Sequence, residues 1–168
     1  MKQRFFFCPK CGGRLLYRAG GERPRLTCDR CGYILYENPA VGVAVVVLDP
    51  EGRILLGRRA GSYKGQWCIP CGYVEYDEDV YSAAVREFHE ETGLYIRVTG
   101  VCAVKSNFHN PELHTVGIWF WAVVEGGELG AGSDLDRLGY FHPADLPPLA
   151  FPTDKEVIRE LCPSLNCR

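Results

Sequence analysis

Two cysteine pairs, Cys8-Pro9-Lys10-Cys11 and Cys28-Asp29-Arg30-Cys31, stand sixteen residues apart and constrain how the first forty residues of this 168-residue chain can fold. Their spacing suits four thiolates around one tetrahedral Zn2+, a closed structural site with no position left for substrate. Two redox-active pairs are the alternative, disfavoured where cytosolic thiols are kept reduced. A glycine follows the second thiol of each pair, Gly12 and Gly32, where a tight turn can take positive φ. Residues 14–27 read as a hairpin turning at Gly20-Gly21. So small a unit has too little core to fold unaided, and the metal supplies much of its folding energy.

Charge separates this segment from the rest. Residues 1–40 carry eight Lys/Arg against three Asp/Glu, and residues 41–168 carry eleven against eighteen. Two units of different character are therefore expected, a small zinc ribbon over 1–37 and a larger domain over 38–168. With no pattern of aromatic platforms, the basic surplus reads as a solvated face or a docking surface, and nucleic acid is not favoured as a partner.

The composition, 46% hydrophobic with 12% aromatic, supplies a real core. The apolar run near the start is too short for a secretory leader, and the longest one, residues 41–48, falls far short of the roughly 18 residues of a membrane span. A cytoplasmic protein with no membrane partner is expected. Nine cysteines in such a chain read as metal ligands, reactive thiols or small buried hydrophobes. Cys102, Cys162 and Cys167 carry no spacing signal and read as buried or tail thiols.

Along the larger unit, residues 41–48 and 53–59 read as a buried hairpin around the turn Asp49-Pro50-Glu51-Gly52. From Asp79 the period becomes helical, with Tyr81, Ala84, Val85 and Phe88 on one stripe, Asp79 as cap and Thr92-Gly93 as stop. Residues 94–105 and 113–124 read as strands, 125–136 as an acidic glycine-rich loop, and 137–142 as a short strand. Thr153-Asp154 can cap a last helix through Leu161. The order predicts an α/β fold, a mixed sheet with helices on both faces.

One phrase, Trp67-Cys68-Ile69-Pro70-Cys71, looks like a thioredoxin-type redox site. That chemistry needs its first thiol at a helix N-terminus, whereas the residues after Cys71 read as extended.

On the helix from Asp79, Glu87, Glu90 and Glu91 stand at i, i+3 and i+4. Like charges so placed repel, each pair costing about 0.2–0.5 kcal/mol in an isolated helix. A divalent cation reverses that sign, and carboxylates are the ligands Mg2+ prefers. Taken with their surroundings, they complete the run Gly72-x5-Glu78-x7-Arg86-Glu87-Phe88-x-Glu90-Glu91-x-Gly93-Leu94. This resembles the Nudix box at every fixed position, and the resemblance covers residues 40 to about 150.

The resemblance implies an α/β/α sandwich and a hydrolase that attacks, with water, a nucleoside diphosphate linked to another group. It puts catalytic Mg2+ or Mn2+ on Glu87, Glu90 and Glu91, with the carbonyl of Cys71 completing the shell, and makes Glu78 and Arg86 a pair tying loop to helix. The general base is Glu87 or a loop acid among Glu125, Glu128, Asp134 and Asp136. A ribbon ahead of such a domain occurs in NADH pyrophosphatases and in a shorter group resembling FAD and ADP-ribose pyrophosphatases. Asn38-Pro39, Gly65-Gln66-Trp67 with Pro70, Gly72-Tyr73-Val74-Glu75 and Ala150-Phe151 are closer to the short group, and the NADH motif after the box is absent.

The implied reaction cuts ADP-ribose, FAD or a similar dinucleotide to AMP and a second monophosphate. NADH hydrolysis, removal of RNA caps, and a nucleotide-sensing regulator with the ribbon as contact surface are the alternatives; intact box acids argue against the last. A homodimer is implied by the resemblance alone. Tyr73, Phe108, Trp119, Trp121 and Tyr140 are candidates to stack on the base, and Arg58, Arg59, His109 and His114 to reach the substrate.

Overall fold

The computed structural model describes residues 3–161, and its contacts part into two compact units between Asn38 and Pro39. No helix among these residues is long and apolar enough to cross a membrane. Cys162 and Cys167 lie outside the described residues.

In the first unit β1 (Leu15–Arg18), β2 (Arg25–Cys28) and β3 (Ile34–Leu35) form an antiparallel sheet in that order. Its inner face buries Leu15, Leu26, Cys8 and Cys28, a core of four residues. Gly12 and Gly32 take φ of 71° and 72°, as the turn after each cysteine pair requires.

The second unit is built on two sheets. The larger, in the order β7-β4-β9-β8, joins β7 (Cys71–Tyr73), β4 (Ala40–Val46), β9 (Thr115–Gly127) and β8 (Leu94–Asn107). Its β4 runs parallel to β9 and the other pairs are antiparallel, so the sheet is mixed. The smaller, β10-β5-β6, pairs β5 (Ile54–Arg59) antiparallel with β10 (Leu135–Phe141) and β6 (Trp67–Cys68).

Alternation along β4 explains the layering. Val43, Val45 and Val47 pack with Ala83, Ala84 and Phe88 of helix α1 (Val80–Thr92). Ala44 and Val46 point the other way, toward Val157, Ile158 and Leu161 of helix α2 (Pro152–Leu161). Period-two side chains thus feed two cores, and a strand buried on both faces reads as the continuous apolar run seen in the sequence. The α/β/α sandwich follows.

Several expectations change. Strands β4 and β5 meet only at the turn, through Leu48–Ile54 and the Leu55 amide on the Val47 carbonyl, and then diverge into separate sheets. They do so because β4 has both edges occupied, by β7 and β9. The β8–β9 ladder continues through Gly126 and Gly127 with register shifts, so the acidic loop shrinks to residues 128–134. Asp79 caps α1 by accepting from the amides of Tyr81 and Ser82, and Gly93 ends it at φ 71°. Asp154, by contrast, lies inside α2 and turns its carboxylate into the core, where it accepts from the Ile69 amide at 3.0 Å and Trp119 Nε1 at 3.1 Å.

Candidate functional site

In the first unit the four sulfurs of Cys8, Cys11, Cys28 and Cys31 lie within 4.8 Å of one another. Amides of Cys31 and Arg30 donate to Cys28 Sγ at 3.5 and 3.4 Å, drawing that thiol down to about 7. The Gly13 amide draws Cys11 down, but crowding by Cys31 and the other sulfurs pushes it up to about 12. A cation among the sulfurs removes that repulsion, and a four-sulfur set suits a tetrahedral soft or borderline metal such as Zn2+.

In the second unit Arg86 organises the acids of α1. Its Nε and Nη2 form a fork on Glu78 at 2.8 and 2.7 Å, Nη2 also reaches the Tyr73 carbonyl at 3.1 Å, and Nη1 donates to Glu87 at 2.8 Å. A weaker contact at 3.5 Å runs from Nη1 to Glu90. The guanidinium hydrogen bond holds the Glu78 carboxyl below its usual range. Glu78 and Arg86 therefore clasp the loop after β7 to the helix, a bidentate geometry that lysine does not reproduce.

Glu87 lies flat over the backbone of β7. A Cβ added to Gly72 would stand 1.9 Å from its carboxyl carbon, so a side chain there displaces the acid. Glu90 is the open member, with its side chain 48% exposed.

Glu91 is the opposite case. It is 1% exposed and accepts the Cys71 amide at 2.7 Å. Burial above all, then the neighbouring Asp134, pushes its carboxyl up to about 10, and the Cys71 amide only partly offsets this. A buried acid with no cationic partner in its shell fits a site meant for a cation, since metal binding favours the ionised form. The ligand atoms of Glu87, Glu90 and Glu91 are not drawn together as those of the cysteines are; the first two lean on Arg86 and the third turns under Cys71.

The loop over residues 128–134 is pinned to the end of α1, with Gly130 N on the Thr92 carbonyl and Gly132 N on the Glu91 carbonyl. Asp134 leaves it to meet both Glu91 and Arg59 Nη2, the latter at 2.5 Å. Two of the other candidate acids point elsewhere: Glu125 pairs with Arg97 and Asp136 with Arg58, each at 2.7 Å.

The chain's two units match two known families. Residues 38–161 match the NUDIX domain, and residues 7–37 the zinc ribbon described as Nudix N-terminal. The chain belongs to the Nudix family. It is a Nudix hydrolase preceded by the family's N-terminal ribbon. An ADP-ribose pyrophosphatase of Methanocaldococcus jannaschii is 39% identical over 124 residues, 73% of each chain. An NAD-capped RNA hydrolase, NudC, of Vibrio parahaemolyticus is 31% identical over 99 residues, 58% of this chain and 36% of that protein. The crystal structure of a NUDIX hydrolase from Nitrosomonas europaea superposes with a TM-score of 0.82 at 27% identity, covering 95% of this chain and 92% of that one.

The Nudix frame explains the Trp67–Cys71 phrase. Its first half, β6, belongs to the smaller sheet and its second half, β7, begins the larger one, so Ile69-Pro70 is the corner where the chain changes sheets. No helix starts at these thiols: Cys68 is fully buried and α1 begins only at Val80.

Of the expected stacking residues, Trp119 is buried and held by Asp154, which makes it core. Trp121 packs partly buried against the α2 core, Tyr140 against the α1 core, and Tyr73 and Phe108 are exposed. The sequence pattern does not reveal a cluster beside Arg59 and Asp134. Phe151 there carries the Arg59 guanidinium at 5.3 Å from its ring centre, with Tyr63 and His109 at 5.4 and 5.8 Å. These residues come from three separate loops and share no period, so the sequence offers His109 and the Ala150-Phe151 pair separately and gives no sign of Tyr63 or of their meeting.

Proposed function

We propose that this Nudix hydrolase cleaves a nucleoside diphosphate linked to a second moiety, ADP-ribose, FAD or a similar dinucleotide, giving AMP and another monophosphate. The observation that carries the reading is the intact set Glu87, Glu90 and Glu91, the first laid against Gly72 and the last buried under the Cys71 amide. The similarity to a named ADP-ribose pyrophosphatase across most of both chains supports the substrate class.

Glu87, Glu90 and Glu91, with the Cys71 carbonyl, are the groups to hold Mg2+ or Mn2+. Bound there, the cation supplies charge neutralisation for the diphosphate and a lowered pKa for a coordinated water. The chain's own part is positional. Arg86 and Glu78 fix the helix against β7, and Gly72 leaves room for Glu87. Asp134 is the loop acid placed beside Glu91 and is our choice for the group that takes the proton from water. Phe151, Tyr63 and His109 offer ring faces next to Arg59, suited to a base beside a phosphate.

The reading includes structural Zn2+ on Cys8, Cys11, Cys28 and Cys31, a division into a ribbon over 1–37 and a catalytic domain over 38–168, and a cytoplasmic homodimer. Zinc at about one ion per chain, lost in a Cys28→Ser, Cys31→Ser variant, supports the first part; a monomer by light scattering contradicts the last. RNA-end hydrolysis is the second reading, favoured by the similarity to an NAD-capped RNA hydrolase, of which the chain spans about a third. Incubation with Mg2+ and a panel of ADP-ribose, FAD, NADH, diadenosine polyphosphates and capped RNA separates the two. AMP release from the dinucleotides supports our reading, and turnover of RNA ends alone overturns it.

A further inference from the structure

The ribbon presents a second surface on the side of its sheet away from the cysteine core. Cross-strand register places Leu16, Thr27 and Ile34 in one row and Arg18 directly opposite Arg25 in the next, all on the face away from the cysteine core. Two like charges held opposite each other destabilise a sheet. Neither is in an ion pair: every ion pair among the described residues lies in the second unit, between Asp49 and Glu160. Beside them the Arg25 guanidinium sits 4.9 Å from the ring centre of Tyr36, which is 57% exposed. Arg18, Arg23, Arg25, Thr27, Ile34 and Tyr36, with one acid, Glu22, at the turn, line a cleft of about 690 Å3, three guanidinium groups against one carboxylate.

We infer that this face of the ribbon binds single-stranded nucleic acid, with Arg18, Arg23 and Arg25 on phosphates and Tyr36 under a base. Unpaired guanidinium groups call for a polyanion, and the adjacent ring and apolar side chains call for bases free to stack on them. A duplex keeps its bases stacked and has nothing to give Tyr36. A lipid surface meets protrusions, whereas these residues line a concavity. A two-fold contact with a second copy would set Arg18 and Arg25 against their own kind. The charge surplus legible in the sequence thus becomes a patterned surface once the register brings Arg18, Arg25 and Tyr36 together.

The test uses the full zinc-loaded chain and a fluorescent single-stranded RNA with a 5′-hydroxyl end, which holds no diphosphate for the Nudix site to cut. Anisotropy should rise on binding, and affinity should fall with salt. Arg18→Ala with Arg25→Ala should weaken binding about ten-fold or more and flatten the log–log salt slope by about 1.4, at roughly 0.7 for each phosphate no longer neutralised. Tyr36→Ala should weaken binding about five-fold or more with the slope unchanged. Zinc content and ADP-ribose turnover report that the variants are folded; should the alanine pair lose zinc, Arg18→Gln with Arg25→Gln replaces it. No binding at low salt, binding indifferent to these changes, tighter capture by anionic lipid vesicles or an acidic peptide than by RNA, or a self-association lost in Tyr36→Ala would each overturn the inference.

Discussion

The amide of Cys71 donates a 2.7 Å hydrogen bond to Glu91, an acid that is 1% exposed. This bond ties the first residue of β7 to the last turn of α1, and it belongs to the backbone. The thiol of Cys71 is a bystander to it. Cys71→Ala together with Cys68→Ser should therefore keep hydrolysis within about three-fold, at a stability loss of about 1–3 kcal/mol for a polar group at a buried site. A loss of activity without loss of fold, seen by kinetics beside urea denaturation, would restore the thiols as participants.

Gly72 is a tighter constraint. With Glu87 lying where a Cβ would go, Gly72→Ala should push the carboxylate aside and cut kcat by about ten-fold or more, with about 1–3 kcal/mol lost from overpacking. Steady-state kinetics and the urea midpoint measure both; an unaffected kcat shows that Glu87 does its work in another position.

Among the loop acids, Asp134 is placed beside Glu91, while Glu125 and Asp136 are engaged by Arg97 and Arg58. Asp134→Asn should lower kcat by about a hundred-fold or more, the range of a lost general base, whereas Glu125→Gln, Glu128→Gln and Asp136→Asn should each stay within about three-fold. A comparable loss in one of the other three moves the proton acceptor there.

How much of this was legible in the sequence depends on how local the cause is. Helix α1 was readable because its cap, its stop and its apolar period all lie within a few turns, and Asp79 and Gly93 stand where they were expected. The burial of Glu91 and Asp154 was not, since a carboxylate carries no apolar signal and each is drawn inward by a distant amide, Cys71 for one and Ile69 for the other. The β4–β5 turn is legible in the sequence and the divergence after it is not, because which edges a strand shares is decided by β7 and β9 far along the chain. The ring cluster of Tyr63, His109 and Phe151 depends on three loops meeting, which no spacing encodes.

Asp154 gives a pH signature. Burial pushes its carboxyl from 3.8 to about 7, against the bonds from Ile69 and Trp119. A folded-state pKa above the unfolded one means that the folded chain holds the extra proton, so this group's stabilisation is complete below about pH 4 and is lost as pH rises to about 7, at up to about 1.4 kcal/mol per pH unit. Urea midpoints between about pH 5 and about pH 8 should fall for the wild type and fall less steeply in Asp154→Asn, the remaining slope belonging to Glu91, whose carboxyl burial pushes up to about 10. An unchanged slope in the variant means that another group carries the dependence.

In the proposed reaction Glu91 is the acid that a divalent cation ionises and uses. The direct measurement is the initial rate of AMP release from ADP-ribose against Mg2+ concentration, for the wild type and for Glu91→Gln. Glutamine is nearly isosteric and keeps an oxygen to accept the Cys71 amide, so the fold persists while the charge is lost. The prediction is a Mg2+-dependent wild type and a variant slower by more than about a hundred-fold, beyond the usual effect of losing a group that only supports a metal ligand. A Glu91→Gln enzyme with the wild-type rate and the same Mg2+ dependence would contradict it.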